Sequence, residues 1–182
     1  MRHFIAILAL ACAACQPSQE AALPSPQQAK PEAASAPDTK QRVHALGGIV
    51  VGSDMGEFGG DVSFIEPDGT TYQVIDDNSH GIFSTAHGVL AITGLAHMSL
   101  NRGTVFLLSR QPDKRVVATT AVQLPGAPCN DIKVSNGQIS LRTFIGIGDN
   151  GPDYRCFALQ SPSDLVEEQC EPGPKSFAAC FD

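Results

Sequence analysis

Basic charge is scarce in this sequence. Its 182 residues hold 12 Lys+Arg against 19 Asp+Glu, a formal net charge of −7. That balance argues against nucleic acid as a partner, because phosphate binding needs a basic surface that releases counterions. No apolar run reaches the roughly 20 residues that cross a bilayer core; the longest lies at residues 4–14. No HExxH, GxSxG, Walker loop or complete GxGxxG occurs, so the usual marks of zinc proteases, serine hydrolases and nucleotide binders are missing. Gly146-Ile147-Gly148 stops short of a dinucleotide fingerprint and reads as a glycine-rich loop. No CxxC is present, and the spacings of 27, 14 and 10 between the last four cysteines match no zinc pattern. What remains, 42% hydrophobic and 17% charged residues, suffices for one domain and is short for two.

The N-terminus reads as an address. Met1-Arg2-His3 is a short positive region, and the apolar run behind it has the length of a secretory core. It ends in Ala13-Ala14-Cys15, which resembles the lipobox of bacterial lipoproteins. Cys12 stands where that family prefers Leu, and Ala9-Leu10-Ala11-Cys12 is the alternative box. The resemblance implies that residues 1–14 are removed and that Cys15 is diacylated, anchoring the chain in a membrane at ~0.8 kcal/mol per buried CH₂. Gln16 follows in place of the Asp that retains lipoproteins at the inner membrane, which implies the outer membrane, facing the periplasm. Removing residues 1–14 takes away one basic residue, Arg2, and leaves 11 against 19 acids, or −8.

Residues 15–42 read as a tether. Five prolines (17, 24, 26, 31, 37) stand among Ala, Ser and Gln, and Leu23 is the one bulky aliphatic residue before Val43. Such a segment buries too little apolar surface to offset the entropy of ordering. Its prolines favour extended chain at ~3 Å per residue.

Residues 43–182 read as a single all-β domain, antiparallel and disulfide-stapled. About ten short strands are expected, with at most one short helix near the C-terminus. Ile139 and Leu141 alternate with Ser140 and Arg142, as Tyr72 and Val74 do with Thr71 and Gln73, so one set faces a core and the other water. The apolar runs at 48–51, 89–92 and 105–108 suit strands covered on both faces. Turn residues separate these stretches, and Asn136-Gly137 marks a hairpin because a type I′ turn needs positive φ twice. The helix candidate is residues 163–169, entered through Ser161-Pro162. A faint repeat links Gly60-Asp61-Val62 with Gly103-Thr104-Val105, 43 residues on, and His87-Gly88-Val89 with Asn136-Gly137-Gln138, 49 residues on. Those steps have the length of a four-stranded propeller blade. The pattern resembles blades of bacterial periplasmic propeller-like proteins, without any Trp-Asp signature. The chain has room for about three blades and a closed ring needs at least four, so a twisted meander or sandwich is the preferred arrangement.

Cys129, Cys156, Cys170 and Cys180 form an even set in an exported chain and read as two disulfides. Three connectivities are open, and Cys129–Cys156 with Cys170–Cys180 is favoured. His80, His87 and His97 fall within eighteen residues and could converge. On paper Ser84, His87 and Asp76 could make a triad, but triads are recognised by geometry. The plainer reading makes His80 and His87 turn residues. The acidic, glycine-rich stretches 54–61 and 149–153 hold oxygen ligands of the kind calcium takes, but in no EF-hand order. No metal or cofactor is expected. Met55 and Phe58 stand in the first of these stretches, where a loop presenting an aromatic anchor would make a partner contact.

Together these features lead to an expectation of an outer-membrane-anchored periplasmic lipoprotein that binds a protein or an envelope component. One version is an immunity or inhibitor protein that offers an acidic face to a basic enzyme. The alternatives are an envelope hydrolase using His80, His87 or His97, and a structural part of an envelope assembly.

Overall fold

A computed structural model describes residues 41–181 of the chain. The expected signal segment, Cys12, Cys15 and most of the tether lie outside the described residues. The folded unit starts slightly earlier than residue 43. Strand β1 (Arg42–Ala45) pairs Arg42 with Val51, and Gln41 Nε2 donates to Ser79 O at 2.5 Å. Both are polar residues that an edge strand accommodates, so the change in composition at Val43 does not reveal them.

Thirteen strands make three antiparallel sheets. The first is β1, β2 (Gly48–Asp54), β3 (Gly60–Ile65) and β4 (Thr71–Ile75). The second is β5 (Ser79–Thr85), β6 (Gly88–His97), β7 (Leu100–Arg110) and β8 (Val116–Leu124). After the two-residue β9 (Ala127–Pro128), the third runs β10 (Lys133–Ser135), β11 (Gln138–Gly148), β12 (Gly151–Ser161) and β13 (Asp164–Glu168). Strands β9 and β10 both pair with β11. A single turn of helix, α1 (Ala178–Phe181), comes last.

Each sheet contains a four-strand meander with the strand order of a propeller blade, and the third adds β9 beside β11. The repeat is the step from one sheet to the next. Gly60 and Gly103 lie in the third strands, β3 and β7, while Gly88 and Gly137 mark the starts of the second strands, β6 and β11.

The second sheet is packed between the other two. Val89, Ala91 and Leu108 face Val50, Val62 and Phe64 of the first sheet. Leu90, Ile92 and Val105 face Ile139, Leu141 and Phe157 of the third. Successive side chains of a strand point to opposite faces, so a sheet covered twice needs apolar residues at every position. The runs 89–92 and 105–108 are therefore continuous. The run 48–51 differs: Val50 is buried, but Ile49 and Val51 lie on the half-open outer face of the first sheet.

Local turns follow the sequence where the turn residues are strong. Asn136 (φ 52°) and Gly137 (φ 79°) close β10 onto β11, with Ser135 paired to Gln138. Residues 163–169 are not a helix. They form the turn into β13 and β13 itself, because Leu165 pairs with Leu159 and packs on the core between the second and third sheets. Burial of that leucine overrides the helical preference of its glutamates.

The disulfides are Cys129–Cys180 and Cys156–Cys170, not the favoured pairing. Cys156 lies in β12 opposite Glu168, two residues before Cys170, so the hairpin itself presents these two sulfurs to each other. Cys129 follows β9 and receives α1 from the far end of the chain. Residues 171–177 between the staples lie as a strap over the outer face of the third sheet.

Arg142, expected in water, is buried beneath that strap. It meets Asp131 Oδ2 at 3.1 Å and donates to Glu171 O at 3.2 Å. Gly173 permits this approach, since a Cβ there would stand 2.9 Å from the guanidinium. Lys133 and Glu171 pair at 2.8 Å on the surface, which raises the lysine pKa and lowers that of the glutamate.

Tyr154 donates from its hydroxyl to Ser176 O at 3.2 Å, and burial pushes its phenol above the ordinary value of 10.0. A folded value raised above the unfolded one means stability that is present below pH 10 and lost as pH rises through the folded value. Urea unfolding between pH 9 and pH 11 should show that loss, and Tyr154→Phe should flatten it. An equal slope in the variant would remove Tyr154 as its source.

Candidate functional site

The turns at residues 55–59, 98–99 and 149–150 lie at one end of the stacked sheets. Backbone pairing places them there, because each joins the second and third strands of its sheet. Side chains tie them together: His97 Nδ1 stands 3.2 Å from Glu57 Oε2, and Asn101 Nδ2 donates to Phe144 O and Ile145 O.

A cleft of about 730 Å³ opens at this end. One wall is the β2–β3 loop, with Asp54, Gly56 and Glu57. Asn78 holds that loop, donating to Gly56 O at 2.6 Å. Its base includes His80, Gly94 and the end of β6. The other wall is the end of the C-terminal strap with α1, which together contribute Phe177, Ala179, Cys180 and Phe181. The strap is fixed by the Cys129–Cys180 bond, by Asn130 N donating to Cys180 O at 2.8 Å, and by Asn130 Nδ2 donating to Phe181 O at 2.6 Å. Phe144 meets Phe177 and Phe181 edge to face, and those two pack tilted on each other, with centroids 4.9 to 6.3 Å apart.

The histidines do not converge as three. His80 is buried in β5 and is not a turn residue. Its Nδ1 faces Asn130 Oδ1 at 2.8 Å and its Nε2 faces Gly94 O at 3.1 Å, with Asp54 Oδ2 3.9 Å from Nδ1. Asn130 is oriented by its own donation to Phe181 O, so Oδ1 is the atom turned to the ring. Both ring nitrogens thus face protein oxygens at hydrogen-bond distance, in a side chain only 3% exposed. His97 shares the cleft. His87 sits in the β5–β6 turn at the opposite end of β6, ten residues or about 30 Å away at ~3.3 Å per residue. Asp76 precedes β5 and Ser84 lies near its other end, so the paper triad does not assemble. Among the described residues no Ser, Thr or Cys side chain is hydrogen-bonded to a histidine ring, and no three His, Cys, Asp or Glu side chains form a group able to hold a metal ion. Asp61 instead accepts from Ser53 and Ser63, and Asp54 from Gly56 N.

Met55 and Phe58 flank this cleft on a single 3-10 turn (Gly56–Phe58), and Phe58 is 84% exposed rather than folded onto the core. They are not alone. Met98 (94% exposed) and Leu100 stand at the β6–β7 turn, and Ile147 (74% exposed) near the β11–β12 turn. Five large apolar side chains thus project from three neighbouring hairpin ends. Sequence reasoning found Met55 and Phe58 but missed Asn130, Phe177 and Phe181. The available signal was their position beside Cys129 and Cys180. Comparison with protein-family models, with curated proteins and with solved structures found no match.

Proposed function

We propose that this chain is a tethered, non-enzymatic binding module of the bacterial envelope, which meets a protein partner with the hairpin end that carries the cleft. The observation that carries the reading is the row of exposed Met55, Phe58, Met98, Leu100 and Ile147 on three adjacent hairpin ends. Single exposed apolar residues are ordinary, whereas several gathered around a cleft mark an interaction site. The cleft histidine with the best-defined surroundings, His80, is buried with both nitrogens facing protein oxygens, which favours binding over catalysis. The lipobox-like Ala13-Ala14-Cys15 and the proline-rich stretch behind it support a membrane anchor with a spacer, at the outer membrane facing the periplasm.

Site-specific photo-crosslinking in cells that export the chain tests this. A photoreactive residue at Phe58 or Leu100 should yield adducts with another protein, and one at His87 or Asp113, in the turns of the opposite end, about tenfold fewer. Equal adducts from both ends, or adducts with the chain itself alone, would overturn the reading.

A further inference from the structure

The composition of the hairpin end says more about what it takes. Among the described residues the cleft is lined by three carboxylates, those of Asp54, Glu57 and Asp131, and by no Lys or Arg. Asp131 is already bound to Arg142 at 3.1 Å, and Arg102, near the same end on β7, is bound to Asp77 at 2.5 Å. Asp54 and Glu57 pair with no Lys or Arg among the described residues; Asp54 accepts from Gly56 N and stands 3.9 Å from His80, and Glu57 stands 3.2 Å from His97. Facing them across the cleft is the aromatic wall of Phe177 and Phe181. Carboxylates and phenylalanine rings lining one cleft suit a cation, a guanidinium above all, because its planar fork donates to two carboxylate oxygens and its face stacks on an aromatic ring. Outside the cleft stand Met55, Phe58, Met98 and Leu100, which suit apolar residues on either side of that cation.

Resting on the binding-module reading, we infer that the partner is a basic protein that inserts an arginine, flanked by apolar side chains, between Asp54 and Glu57 on one wall and Phe177 and Phe181 on the other. The acidic balance of the whole chain, 19 acids against 12 bases, steers such a partner from a distance and does so less as salt rises.

The probe is a fluorescein-labelled peptide, Gly-Leu-Arg-Leu-Arg-Leu-Gly amide, with a counterpart carrying Glu for both Arg, titrated by anisotropy with the full-length protein. The Arg peptide should bind at least about tenfold more tightly than the Glu peptide, and more weakly as salt rises. The double substitution Asp54→Asn, Glu57→Gln should cost about tenfold for the Arg peptide, and Phe58→Ser with Met98→Ser a similar factor. All four positions lie at the surface of the cleft end, so folding is checked simply by an unchanged urea midpoint. Asp113→Asn at the opposite end should change nothing. Equal binding of the two peptides, no binding of either, or an unchanged Arg-peptide affinity in the Asp54/Glu57 variant would overturn the inference. If that happens while Phe58 still crosslinks to another protein, the module reading survives. If the crosslinks also vanish, both fall.

Discussion

Replacing Phe64 with alanine should lower the free energy of unfolding by about 3–5 kcal/mol, the cost of deleting a buried aromatic ring and leaving its cavity. Phe64 is fully buried and holds the first sheet to the second. Its ring meets Tyr72 at 5.8 Å between centroids and the Arg110 guanidinium at 5.4 Å. Gly48 leaves room for it from the neighbouring strand, since a Cβ there would stand 2.5 Å from the ring. These neighbours belong to paired strands and cannot collapse into the space without breaking register. Domains of this size have about 5–15 kcal/mol in all, so the loss would be a large fraction of it. Phe58→Ala is the control, the same deletion at an exposed position, and should change stability by less than about 0.5 kcal/mol. Urea unfolding with the disulfides intact measures both. Similar losses at the two positions would mean that the first sheet does not depend on this contact.

The contrast between these phenylalanines shows what the sequence could and could not disclose. Strand periodicity is a local property, so the double-sided burial of residues 89–92 and 105–108 was readable from unbroken apolar runs. The run at 48–51 looked the same, yet belongs to a sheet at the end of the stack, and a strand does not record whether another sheet follows it. The turn at Asn136-Gly137 was legible because those residues adopt positive φ cheaply. Leu46-Gly47 closes β1 onto β2 with Leu46 at φ 55°, which no turn preference announces. Leu46 is held there by long-range contacts: its side chain packs on the first core and its carbonyl accepts from Arg110 at 2.8 Å. The cleft was half legible for the same reason. Phe58 stood out because glycines and acids surround it. Asn130, Phe177 and Phe181 are brought together by contacts between segments about 50 residues apart, the Cys129–Cys180 bond among them.

That bond should matter most of the two. In the loop-entropy account, closing 51 residues contributes about 4 kcal/mol and closing 14 contributes about 3 kcal/mol. The pairing expected from sequence would have closed loops of 27 and 10, and both its bonds would have been nearly local. The observed pairing divides the work. Cys156–Cys170 reinforces a hairpin that the backbone already forms, and the strap beyond it keeps the contacts of Arg142 and of Lys133 with Glu171. Cys129–Cys180 reaches from the start of the third sheet to the last helical turn, and without it α1 is held by the Asn130 bonds and the phenylalanine stack alone. Cys129→Ser with Cys180→Ser should therefore lower the free energy of unfolding by about 4 kcal/mol, and Cys156→Ser with Cys170→Ser by about 3 kcal/mol. Hydrogen exchange should separate them further. Loss of the long-range bond should expose the amides of Asn130 and Cys180 and leave β12 and β13 protected, because Asn130 N donates to Cys180 O beside the disulfide and Cys180 N donates to Phe177 O in the turn that the disulfide holds. If the Cys129/Cys180 variant loses less stability than the Cys156/Cys170 variant and keeps both amides protected, the strap is held by its aromatic stack, and the disulfide is not what builds the cleft wall.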